Sequence, residues 1–252
     1  MKKQIVRADM HVYSCSPILS SGFSEQDDRK KENKVSLELL YNQAKNNGMD
    51  YVTITDTNSI DRVVELHMNH PKDTFLGIEL ISKFPEHSCA IHILIYGLDE
   101  YIFNELLKVS TNIYLVRKLI KKNKLAYAVA HTPEFHNGKM VPAVVEKLIL
   151  LFDVFEGSRR EFTQSQNEAW GNMFQNVTLQ QMKKLRSKYG IRPFSLHSVR
   201  KGFIGGSGNV AGNHIGLSYT LAEAYNVNSF LRSIVAKQCV AGLDDVDISR
   251  AD

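Results

Sequence analysis

The sequence predicts an α/β protein with a mostly parallel sheet, either closed as a barrel or left open. Two patterns and one quantity predict it. Short apolar, β-branched runs end abruptly in polar residues, and stretches with helical spacing lie between them. A chain of 252 residues, 43% hydrophobic, suffices for one core of this class, so a single domain over 1–252 is expected. In order, the strand-like runs are 4–12, 50–57, 74–80, 90–97, 126–132, 151–157 and 202–208. Between the first two, 36–48 carries Leu37, Leu40, Tyr41 and Ala44 at helical spacing, with Ser36 as N-cap and Gly48 as C-cap. The stretch 100–124 reads as one helix whose lysine-rich end suits the negative pole of its dipole. Further helices are expected at 141–150, 178–190 and 228–238. The polar, charge-dense segment 20–34 reads as a mobile loop over the strand ends or as a solvated insertion without a role.

Composition narrows the function classes. The net charge of +4 is a mild excess of 31 basic over 27 acidic residues, so no concentrated basic stripe points to nucleic acid. Cys15, Cys89 and Cys239 are odd in number and lack Cys-x-x-Cys spacing, which argues against a disulfide framework and a thiolate zinc site and for a reducing cytoplasm. The N-terminus meets Arg7 and Asp9 before any apolar signal region forms, and no apolar run is long enough to span a bilayer. A cytoplasmic protein without a membrane partner is the expectation.

Five polar residues interrupt or end the apolar runs: His11, Asp56, Glu79, His92 and His131. One such residue is ordinarily a satisfied core group. Five at equivalent positions are another matter, because the C-terminal ends of parallel strands converge on one face and share a pocket. Imidazoles and carboxylates gathered there are a donor set for zinc, manganese or iron.

These residues lie in segments that resemble the motifs of the PHP (polymerase and histidinol phosphatase) family of metal-dependent phosphoesterases. The stretch 9–14, DMHVYS, is similar to the opening Asp-Leu-His-x-His-Ser, and 48–61, GMDYVTITDTNSID, to Gly-Met-Asp-x-Val-x-Ile-Thr-Asp-His-Asn. The segments 77–80, 92–97 and 130–135 resemble the Gly-x-Glu, His-x-Leu-x-Tyr-Gly and Ala-His-Pro elements. The segment 205–220 resembles the final Gly-Gly-Ser-Asp-x-His motif with its trailing Ile-Gly-x-Thr-Tyr-Thr. The flavour is that of the subgroup encoded beside or fused to glycosyltransferases. The resemblance implies a distorted seven-stranded, TIM-like β/α barrel holding up to three divalent metals that activate water against a phosphoester.

The sequence also departs from that pattern. Tyr13, Thr57, Gly208 and Val210 stand where the family carries metal ligands. By the resemblance, the position served by Glu79, His92 and His131 is complete, His11 and Glu79 belong to a second that is broken, and the third is dismantled. One ion, zinc, manganese or iron, is therefore the most the site is expected to hold, and none is the alternative. On an enzyme reading His11 and Asp56 are catalytic, His11 also binds metal, Asp56 orients a ligand, and the substrate is a small phosphorylated molecule. On the other reading the chain is an inactive PHP-like module that binds a ligand or a protein partner. Arg159 and Arg160 are candidate phosphate contacts, or else the start of a solvated helix with Glu161. His136, His197 and His214 are read as loop histidines before they are read as replacement ligands.

Overall fold

The computed structural model describes residues 3–15, 35–130, 141–159, 164–208 and 214–244. Eight strands appear in it: β1 (Gln4–Ala8), β2 (Gly77–Lys83), β3 (Ala90–Tyr96), β4 (Ala126–Val129), β5 (Val154–Arg159), β6 (Gly202–Gly206), β7 (Ser218–Ala224) and β8 (Cys239–Leu243). The helices are α1 (Leu37–Asn46), α2 (Asp61–Asn69), α3 (Glu100–Val109), α4 (Ile113–Asn123), α5 (Pro142–Leu151), α6 (Gln164–Gln175), α7 (Leu179–Tyr189) and α8 (Val227–Val235).

The class is α/β as expected, but the closed seven-stranded barrel is overturned. Among the described residues the strands form a mixed five-stranded sheet, β2-β3-β4-β5-β6, and a three-stranded antiparallel sheet, β1-β7-β8. Two physical causes separate this from the expectation. First, β2 and β3 are joined by only residues 84–89, too short for the crossover that a parallel pair requires, so β3 runs antiparallel to β2; it is antiparallel to β4 as well. Second, 50–57 is not a strand. It makes only isolated parallel bridges, Ala8 with Tyr51, Val52 with Thr74 and Thr57 with Glu79. Threonine hydroxyls take up backbone groups there: Thr53 Oγ1 donates to the Phe75 carbonyl at 2.8 Å, and Val12 N donates to Thr55 Oγ1 at 3.1 Å.

The expected helix over 100–124 is two helices. Asn112 interrupts it, its side chain accepting from Tyr114 N at 3.0 Å, so α4 starts with its own cap, a device worth about 1 kcal/mol. Strands β7 and β8 and helices α2 and α6 were not legible in the periodicity. The core is continuous, running from Val6 and Ile54 through Ile93, Tyr96 and Ala128 to Leu148, Phe155 and Phe230. No helix among the described residues is long and apolar enough to cross a membrane.

Candidate functional site

His11 lies three residues beyond β1, on backbone held by close approach. Met10 N donates to the Gly205 carbonyl at 3.3 Å, and Gly208 N to the His11 carbonyl at 2.7 Å. A Cβ on Gly206 would stand 2.4 Å from the His11 Cβ, so only glycine lets β6 pass this close. Gly208 itself adopts φ 64°. Where the resemblance puts a ligand, the chain makes a left-handed turn that fixes the His11 backbone.

The buried Asp9 secures the same segment. Its Oδ1 accepts from His11 N at 3.1 Å and Ser207 N at 2.9 Å, and its Oδ2 from Gly216 N at 2.8 Å. Burial pushes its carboxyl up to about 6, although these donors pull the other way.

The His11 ring is fully enclosed and bonded at both nitrogens. Nδ1 lies 2.8 Å from Glu156 Oε1 and Nε2 lies 2.8 Å from the Tyr13 hydroxyl, with Glu79 Oε1 at 3.6 Å from Nε2. Burial alone would depress the imidazole. Attraction and hydrogen bonding from Glu156, and then from Glu79, outweigh it and raise His11 to about 9.

Glu79, in β2, is the second node. Its Oε1 lies 2.8 Å from His92 Nδ1, and its Oε2 accepts from Thr57 Oγ1 at 2.7 Å. His92 is the third residue of β3 and pairs in register with Ile81, diagonal to Glu79. It therefore joins the site from near the start of an antiparallel strand, where the sequence pattern puts it within a parallel one. Ala130, the residue before His131, donates its N–H to the His92 carbonyl at 2.9 Å.

Asp56 sits beside this pair rather than in it. Ser14 N donates to its Oδ1 at 2.7 Å and Ser14 Oγ to its Oδ2 at 2.5 Å, while Arg62 Nε donates to Ser14 Oγ at 3.3 Å. Burial raises the Asp56 carboxyl against the pull of Ser14.

The structure thus brings together His11, Glu79 and His92, with Asp56 close by in sequence to Thr57. It also gathers Glu156, Tyr13 and Thr57. Glu156 was missed, although it carries the signal that singled out Glu79: a carboxylate set among apolar residues, here in a run shared with Asp153 and beside a register shift in β5. His131, His136, Arg160 and Val210 lie outside the described residues, as does the expected loop 20–34. Arg159 ends β5, in register with Gly206, and its side chain is likewise outside them. His197 and His214 are exposed, and the His197 carbonyl accepts from Lys237 Nζ at 2.8 Å.

Among the described residues no group of three or more His, Cys, Asp or Glu is placed to hold a metal. The three-metal arrangement does not fit: His11 has both ring nitrogens engaged, and Tyr13 and Gly208 supply no carboxylate or imidazole. A single position fits in donor chemistry, with a carboxylate and an imidazole side by side at Glu79 and His92.

No family model matches the sequence, and no curated protein matches it. Solved structures do. A provisionally assigned metal-dependent phosphoesterase from Bifidobacterium adolescentis is similar with a TM-score of 0.51 at 13% identity, over 96% of this chain and 98% of that one. PsfC from Pseudomonas syringae is similar with a TM-score of 0.54 at 15% identity, over 96% of this chain and 92% of that one. At such identity the likeness is one of fold: the chain shares an α/β fold with both proteins over nearly its whole length.

Proposed function

We propose that the chain is a divalent-metal-dependent phosphoesterase with one metal position, formed by Glu79, His92 and His131. The observation that carries this reading is the Glu79–His92 pair, a carboxylate oxygen and an imidazole nitrogen 2.8 Å apart on neighbouring strands. Such a mixed donor set suits zinc, manganese or iron. When bound, the ion supplies positive charge to a phosphoryl oxygen and makes water more acidic. The chain's own residues orient that position: Thr57 fixes the Glu79 carboxylate through Oε2, and Ser14 holds Asp56 beside it. Arg159 and Arg160 are the proposed contacts of a small phosphorylated substrate, and a reducing cytoplasm is the proposed setting for Cys15, Cys89 and Cys239. Membership of the glycosyltransferase-associated subgroup belongs to the same proposal.

A second reading, an inactive module that binds a ligand or protein, is favoured by one observation: both nitrogens of His11 are closed off inside the protein. Metal analysis of protein purified without chelator separates the two, together with zinc- and manganese-dependent hydrolysis of an aryl phosphate. The enzyme reading expects metal that is lost in both His92→Ala and His131→Ala. Less than about 0.1 ion per chain with no hydrolysis would overturn it in favour of the binding module. Activity appearing only when Tyr13→His, Thr57→His, Gly208→Asp and Val210→His are combined would mark the natural chain as a decayed enzyme.

A further inference from the structure

We infer that His11 is not a metal position at all but the hub of a metal-independent core, with Glu156 as its positioning residue and the Tyr13 hydroxyl occupying its second nitrogen. The inference stands whether or not Glu79 and His92 take an ion.

Three geometric facts carry it. The ring has only two nitrogens, and each has a partner at 2.8 Å, Glu156 Oε1 on Nδ1 and the Tyr13 hydroxyl on Nε2. An imidazole ligates through a lone pair, so an ion could reach His11 only by displacing one of them. Both are enclosed and packed in place: Tyr13 is 3% exposed and Glu156 2%, and the Tyr13 ring stands edge-on to the His11 ring at 4.9 Å. Finally, the backbone around His11 is pinned by Asp9, Gly205 and Gly208, so the ring cannot swing toward a new site as a unit. The contacts around the node join the segment that follows β1 to β2 and β5 through side chains, and so link the two sheets. A buried polar network of this kind rigidifies a fold when every member is satisfied.

The test is nitrogen NMR of the full chain labelled with 15N-histidine, first treated with chelator and then loaded with 113Cd. The expected result is a His11 ring with Nδ1–H protected from solvent exchange without metal, still protected on loading, and with no one-bond cadmium–nitrogen coupling. In Tyr13→Phe the Nε2 signal should shift, and exchange at the ring should quicken about tenfold, as expected for the loss of one buried hydrogen bond. Cadmium coupling to His11, or a ring that exchanges freely in the chelated protein, would overturn the inference. Coupling at His92 alone supports both this inference and the one-metal reading. Absence of coupling anywhere, with His11 still protected, supports this inference while removing that reading.

Discussion

Two buried charge clusters lie at opposite ends of the sheets, and they are built on opposite plans. At the site end, one imidazole, His11, stands between two carboxylates, Glu79 and Glu156. At the other end, just before β5 and β6, one carboxylate, Asp153, stands between two ammonium groups, Lys201 at 3.4 Å and Lys237 at 3.5 Å. The lysine cluster is closed largely by the main chain. Lys201 donates to the carbonyls of Ile149, at 2.6 Å, and Phe152, at 2.8 Å, where α5 ends and its unpaired carbonyls need donors. The site cluster is closed by side chains drawn from distant parts of the chain. The lysine cluster caps the carbonyl end of α5, with Lys201 reaching it from 48 residues beyond Asp153. The site cluster depends on several strands arriving together, which is where a ligand-dependent function can be placed.

The largest expected difference between them is in truncation. Glu156→Ala leaves the enclosed His11 without its main partner and should cost about 3–5 kcal/mol, read as a fall in thermal or urea midpoint. Lys201→Met should cost less, about 1–3 kcal/mol, because Asp153 keeps Lys237 and the Ser195 hydroxyl. Equal costs would break the contrast.

Their pH responses should have opposite signs. His11, raised from 6.5 to about 9, contributes stability that is full below pH 6.5 and lost as pH rises through 9. Lys201 is depressed from 10.5 to about 8 by burial, which the attraction of Asp153 only partly offsets. Its contribution is full above pH 10.5 and lost as pH falls through 8. Each shift corresponds to something on the order of 3 kcal/mol. In chelator-treated protein the advantage of the wild type over His11→Asn should shrink from pH 6.5 to 9, and that over Lys201→Met should grow from pH 8 to 10.5. Parallel trends in the two pairs would refute the opposition.

Gly206→Ala sharpens the comparison by moving only the site end. The added methyl meets the His11 Cβ and backbone and should cost about 1–3 kcal/mol, with His11 ring resonances displaced and the environment of Tyr127, beside Asp153, unchanged. The smallest effects belong to the hydroxyls on each buried carboxylate. Thr57→Val at Glu79 and Ser195→Ala at Asp153 should each cost about 1–2 kcal/mol in a urea titration.

Much of the site was legible because a polar side chain inside an apolar run is a local signal. His11, Glu79 and His92 were found that way, and Glu156 carries the same mark. What local pattern could not supply was pairing. The direction of β3 is decided by the short turn 84–89 together with the register Glu79–Leu94, and that direction is what brings His92 diagonal to Glu79. The run 50–57 looked like a strand because its residues favour one, yet the hydroxyls of Thr53 and Thr55 take up backbone groups of Phe75 and Val12, and pairing with the neighbouring segments stays at isolated bridges. Closure into a barrel failed for the same reason, since a barrel needs continuous ladders and the chain between β1 and β2 makes only bridges.

The amino-acid sequence by itself determined the class, α/β, and the residue types available for chemistry, because both follow from periodicity and from single polar residues set among apolar ones. From the resemblance came the expectation that Tyr13, Thr57 and Gly208 stand at positions where that family keeps ligands. Only the tertiary structure decided what those three do: Tyr13 bonds His11, Thr57 bonds Glu79, and Gly208 turns the chain to hold the His11 backbone. The reason is physical. Partners such as His11 and Glu156, 145 residues apart, meet through long-range packing, and no local preference of either residue encodes that meeting.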